Sequence, residues 1–162
     1  MATKTVTVSW GKPNIKVRKV GETEWKSFAT PVEDSTTLEC EQGDKLEAVI
    51  EGGTNEAVKY KANKYTLTFE VRQVPERTDP ITAVDGVVEG EYQILIEPEN
   101  NAANYAFVQR ASVNVQLSYT AADGFKRTYE FSSLTPDSGE QVEIGNKEKI
   151  EALATAAAGA GA

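Results

Sequence analysis

Histidine is absent from this chain, and cysteine occurs once, at Cys40. Without histidine the chain lacks the commonest general base, the usual nucleophile–base triads and the commonest metal ligand. A single cysteine allows no intrachain disulfide, and a thiolate zinc site needs several such ligands. No apolar run approaches the roughly 18–20 residues of a membrane-spanning helix. The opening Met-Ala-Thr-Lys-Thr-Val-Thr-Val has no signal-peptide core, so the chain is expected to stay inside the cell that makes it unless something larger carries it out. There is no EF-hand loop, no glycine-rich phosphate loop and no Gly-x-Ser-x-Gly elbow. Basic charge is outnumbered as well: 17 Lys and Arg stand against 25 Asp and Glu, a net charge of −8. A negative surface repels nucleic acid and argues against conventional DNA or RNA binding. The excess acid either solvates outward-facing strand residues or forms a surface past which nucleic acid moves without sticking. Glu33, Asp34, Glu39, Glu41, Asp44 and Glu47 belong to the first reading, since their spacing matches no cation loop. Pairs of carboxylates able to hydrolyse glycosides are too easily found among so many acids to point anywhere. No catalytic residue, cofactor site or metal site is therefore expected.

What the chain has is alternation. Over residues 64–73, Tyr65, Leu67, Phe69 and Val71 share one face and polar residues the other. Over 111–119, Val113, Val115, Leu117 and Tyr119 do the same. Period two marks strands with one buried and one wetted face. Weaker versions occur at 5–10, 15–20, 36–41, 45–51, 56–61, 92–96, 125–131 and 141–144, separated by Gly, Asn, Asp and Pro turns. In the first of these, Val6, Val8 and Trp10 form the apolar face, which predicts Trp10 in the core. Residues 100–110 carry Ala102, Ala103, Ala106 and Phe107 at helical spacing and predict a short internal helix. Residues 74–90 form the longest irregular connection, of a kind that often serves function or interaction.

The expected fold is all-β: two packed antiparallel sheets forming a sandwich or barrel, with one short helix and a long hairpin or loop. Residues 1–146 are expected to form one β-sandwich domain. Residues 147–162 read as an Ala/Gly-rich tail with helical propensity over 147–158 but only Ile150 and Leu153 as large apolar side chains. The tail is expected to be flexible, or to order only against a partner.

One hairpin stands apart. Strands 45–51 and 56–61, joined by Gly52-Gly53-Thr54-Asn55, are weakly apolar and heavily charged. Such a hairpin gains little from folding alone and would gain order against a neighbouring subunit. The residues assigned to this assembly role are Glu41, Asp44, Glu47, Glu51, Gly52, Gly53, Asn55, Lys59 and Lys61.

Several stretches together resemble the tail tube proteins of long-tailed phages and prophages. They are Trp10-Gly-Lys-Pro-Asn-Ile-Lys-Val, Thr30-Pro-Val-Glu-Asp-Ser-Thr-Thr-Leu and Gly43-Asp-Lys-Leu-Glu-Ala-Val-Ile-Glu-Gly-Gly. Asn63-Lys-Tyr-Thr-Leu-Thr-Phe-Glu-Val, Ala111-Ser-Val-Asn-Val-Gln-Leu-Ser-Tyr-Thr-Ala-Ala-Asp-Gly and Tyr129-Glu-Phe continue the likeness, which covers roughly residues 10–135. It is a likeness of order and flavour, and the tail from Leu153 has no place in it. The resemblance implies a non-enzymatic virion structural protein, made in the bacterial cytoplasm and located in the tail. Its partners would be copies of itself in stacked hexameric rings and other tail proteins, with no membrane. DNA would pass along an acidic lumen without specific binding, and segment 40–61 would bridge neighbours. The rival reading is a monomeric β-sandwich module binding carbohydrate or protein, with Trp25 and the loop 75–90 at its site.

Overall fold

The computed structural model describes residues 6–158. Ten strands and one helix follow in order: β1 (Asn14–Lys19), β2 (Lys26–Ser27), β3 (Thr37–Glu41), β4 (Lys45–Val49), β5 (Asn55–Tyr60), β6 (Lys64–Arg72), β7 (Tyr92–Glu97), β8 (Tyr105–Thr120), β9 (Gly124–Ser133), β10 (Val142–Gly145) and α1 (Lys147–Ala157). The fold is all-β. Eight strands form one antiparallel sheet in the order β2-β1-β7-β8-β9-β6-β3, with β10 also paired to β8, while β4 and β5 form a separate two-stranded sheet. The packed layers are two parts of that one sheet. Ile15 and Val17 of β1 and Ile94 of β7 share a single core with Phe69 and Val71 of β6 and Tyr129 and Phe131 of β9, so the sheet folds over onto itself. Phe28 lies between the layers, its ring 4.9 Å from Phe69 and 4.8 Å from Tyr129.

The strands with the clearest alternation form as expected, except that Leu117 and Tyr119, expected on the buried face of 111–119, are exposed because β8 runs past the core there. Leu67, Phe69 and Val71 of β6 are buried, and β6 pairs with β9 from Thr66↔Ser132 to Arg72↔Lys126. The loop between β6 and β7 is pinned rather than loose. Ile81 enters the core, Val84 and Val87 exchange both backbone hydrogen bonds around Asp85-Gly86, and Asp79 pairs with Arg127 at 3.1 Å.

Three expectations fail. Residues 100–110 are not a helix. Asn100 makes a side-chain-capped turn with Ala102 and Ala103, and from Tyr105 the chain is strand β8. The apparent helical spacing arises because this half of β8 is buried on both faces. Val108 faces the sheet's core, while Tyr105 and Phe107 face α1, and a register shift in the β7–β8 pairing breaks the alternation. Second, the tail is not free over its described part. α1 begins at Asn146, whose side chain accepts a hydrogen bond from the Lys149 amide. It packs Ile150, Ala154 and Ala157 onto Leu95, Tyr105 and Phe107. Alanines at these positions let the helix lie close to the sheet, so Ile150 with the partly buried Leu153 suffices. Residues 159–162 lie outside the described residues. Third, residues 6–10 form no strand and Trp10 is 75% exposed; Thr5, the first residue of that expected strand, lies outside the described residues.

A buried cation locks α1 in place. Arg18 of β1 is buried, donates from Nε to Gln93 and from its terminal nitrogen to the Ala154 carbonyl, and stacks 4.2 Å from the centre of the Trp25 ring. Burial lowers its pKa, yet arginine remains charged in proteins. A cation held at the last carbonyls of a helix also meets the negative end of the helix dipole.

Candidate assembly arm

β3 and β6 pair from Thr37↔Thr68 to Glu41↔Lys64, and beyond them the same two chain segments continue as β4 and β5. The assembly is one long hairpin interrupted by a crossing at residues 42–44 and 61–63. At that crossing the Lys61 amide donates to the Asp44 carbonyl at 2.9 Å, and the Gly43 amide donates to the Asn63 side chain at 3.1 Å. The backbones approach so closely that a Cβ on Gly43 would stand 2.5 Å from the Ala62 oxygen and nearer still to the Lys61 oxygen. Gly43 is therefore required by contact, not by dihedral angle.

Past the crossing the arm leaves the domain. Lys45↔Tyr60, Leu46↔Lys59, Glu47↔Val58 and Ala48↔Ala57 are directly opposite one another, and a bulge at Glu56 shifts the register before Val49↔Asn55. The five extended residues of β4 reach about 17 Å at roughly 3.3 Å each. The tip closes with Ile50 and Thr54 hydrogen-bonded at 3.0 Å around Gly52 and Gly53, whose φ values are +91° and +81°. Glycine tolerates this left-handed backbone without strain.

No core lies beneath the arm. Leu46, Val49, Ile50, Val58 and Tyr60 are between 46% and 56% exposed. The register puts Leu46, Ala48, Ala57 and Lys59 on one face, and Lys45, Glu47, Val58 and Tyr60 on the other. Each face is thus a mixed apolar and charged surface. An isolated two-stranded hairpin is marginal in water, and edge strands left open are templates for pairing with another chain.

The nine residues singled out in the sequence do not converge on one point. Glu41 ends β3 opposite Lys64. Asp44 and Lys61 meet at 3.7 Å at the crossing, and Glu47 pairs with Lys45 at 2.7 Å along β4. Glu51, Gly52 and Gly53 form the tip, Asn55 sits at the bulge and Lys59 lies opposite Leu46. They outline the arm's length. The apolar residues that give the arm its unsatisfied surface were not among them. Their alternation is visible in the sequence, but the strands read as weakly apolar and heavily charged, which draws attention to the charged and turn residues instead.

The remaining candidates fall elsewhere. Trp25 is engaged in packing: Arg18 covers one face of its ring, and the Phe107 ring stands nearly perpendicular to it at 6.3 Å. Among the described residues no three acidic or thiol side chains come together as a cation would require, and no helix is long and apolar enough to cross a membrane. The Tyr129 hydroxyl is buried without a hydrogen-bond partner. Burial and the nearby Asp79 carboxylate raise its pKa far above the ordinary tyrosine value, so it stays protonated and unreactive.

No family model and no curated protein matches the chain.

Proposed function

We propose that this protein is a non-enzymatic structural subunit that assembles with copies of itself into rings stacked as a tube. The observation that carries the reading is the arm. It is a hairpin whose β4 strand reaches about 17 Å, with five large apolar side chains half exposed and no core of its own. Packed against a neighbouring subunit, those side chains would leave water, and each fully buried one contributes about 1.5–3 kcal/mol. Ring closure would also cover the free edges of the sheet, as closed assemblies do. The resemblance of residues 10–135 to tail tube proteins supplies the setting: a phage or prophage tail, with other tail proteins as further partners. The net charge of −8 suits a lumen along which DNA slides without specific binding.

The test is absolute mass by light scattering over a concentration series, with negative-stain imaging of the same samples. Rings or tubes with an open centre are expected from the full chain. Deletion of residues 51–56 is expected to leave a folded monomer, because these residues touch none of the core. A full chain that stays monomeric at every concentration overturns the assembly reading. Tubes formed by the deletion variant overturn the role given to the arm.

A further inference from the structure

The segment Val6–Trp10 conflicts with its own sequence. Val6, Val8 and Trp10 alternate with Thr7 and Ser9, a β-branched, period-two pattern that belongs in a sheet. In the structure this segment pairs with no strand, and Val6 and Trp10 are 77% and 75% exposed. A segment whose local pattern disagrees with its surroundings points to a partner it has not met.

A place for it lies alongside. β3 pairs only with β6 among the described residues, so its outer backbone edge is open. β10 pairs only with β8 there, and its outer side faces β3. Between the two runs an apolar groove. Its first part, about 350 Å³, is lined by Leu38, Leu67, Ile96 and Ile144, with Trp10 and Thr36 also on its wall. Its continuation, about 360 Å³, is half polar: it passes Leu38, Cys40, Tyr65 and Val142 but also Glu140, Glu143 and Lys149. The Gln141 side chain, donating to the Asn63 carbonyl at 3.0 Å, spans the seam.

We infer that residues 6–10 are a strap that closes this seam, adding antiparallel to the open edge of β3 in the same chain. Three observations fix the occupant. The strap is tethered at the groove, where Ser9 Oγ donates to the Asn104 carbonyl at 2.8 Å. Its five residues equal the five of β3. Trp10 and Thr36 both line the groove, and setting them opposite one another in an antiparallel register puts Val8 opposite Leu38 and Val6 opposite Cys40. Opposite residues share a face in an antiparallel pair. Leu38 lies opposite the buried Leu67 in β6, so this register lays Val6, Val8 and Trp10 over the groove and turns Thr7 and Ser9 outward, exchanging the Ser9–Asn104 bond for pairing with β3. The strap thereby decides whether the edge of β3 is taken within the chain or offered to another copy. This goes beyond the assembly reading and does not depend on it.

Cys40, the only cysteine and exposed, serves as the probe. The Val6→Cys variant alters an exposed side chain and leaves the core intact. Opposed strand residues stand close enough to join, with Cα atoms about 4.5–5.5 Å apart. Under mild oxidation of dilute protein, both thiols of this variant are expected to disappear while the chain stays monomeric. The Thr7→Cys variant, with its thiol on the outward face, is expected to keep both over the same time. Equal behaviour of the two variants overturns the register and the strap with it. A disulfide joining two chains overturns closure within the chain and makes the occupant a second copy's strap. Neither result bears on whether rings form, which the imaging above reads separately.

Discussion

Replacing Gly43 by alanine should loosen the arm while leaving the domain intact. A Cβ there would stand 2.5 Å from the Ala62 carbonyl oxygen, against the 3.0 Å below which real Cβ atoms essentially never go. The crossing must open by at least 0.5 Å at that atom (3.0 minus 2.5) and by more at Lys61. Both obstacles are backbone and cannot swing aside like a long side chain. Opening breaks the Lys61–Asp44 backbone bond and the Gly43–Asn63 bond, at a net cost of about 1 kcal/mol each. A two-stranded hairpin with no core has little stability to spare, so about 2 kcal/mol is enough to melt it. None of the lost contacts reaches the buried cluster of β6, β8 and β9, so global stability should move by less than about 0.5 kcal/mol. Amide hydrogen exchange reads both effects at once. In Gly43→Ala, the amides of β4 and β5 should lose protection while those of β6 and β9 keep theirs, and urea unfolding should be nearly unchanged. Gly52→Ala serves as the comparison: it meets no atom within 4 Å but must accept a φ of +91°, which costs roughly 1–2 kcal/mol at the tip alone. Wild-type protection throughout β4 and β5 in Gly43→Ala would refute the reasoning, because the close crossing would then not hold the arm.

Two further outcomes follow from the packing. Ile150→Ala removes the one fully buried large side chain of α1, beside the partly buried Leu153, and should cost about 2–5 kcal/mol in urea unfolding. Trp25 emission should shift red as the helix leaves, and a loss under about 0.5 kcal/mol would mean α1 is held by Arg18 alone. Glu91 accepts a fork of hydrogen bonds from Arg110 at 2.8 and 2.7 Å, which holds its carboxyl below the ordinary range. A lowered folded pKa gives stability that is full above the unfolded value of about 4.3 and is lost as pH falls through the folded value. The stability gap between wild type and Glu91→Gln should therefore be present at neutral pH and shrink in acid below about pH 4. A gap that is constant with pH would assign the effect to packing instead.

Much of the fold was legible because one face of several strands meets water. β6, β9 and the second half of β8 display their alternation plainly, and their pairing follows from it. The first half of β8 was misread for the opposite reason: α1 covers the face that water would otherwise mark, so Tyr105, Phe107 and Val108 are all buried. The docking of α1 was hidden because its contact residues Ala154 and Ala157 are small, and because Arg18, which holds it, sits 136 residues away in sequence. The arm was visible as a weak hairpin, but Gly43 looked like any turn glycine. Its close contact with Lys61 and Ala62 exists only once both strands are in place. Trp10 misled because a strand pattern was taken to guarantee a strand partner.

The way the arm joins the domain also determines how force would enter it. β4 and β5 continue the same segments as β3 and β6, so tension on the tip runs along the strand direction. β6 is joined to β9 through seven register pairs, whose hydrogen bonds lie perpendicular to that direction. A pull on the tip therefore loads the whole ladder in shear, with its bonds sharing the strain together and not opening one by one as in peeling. The arm is mounted like a tenon, soft where it meets a neighbour and mechanically stiff where it enters the sheet.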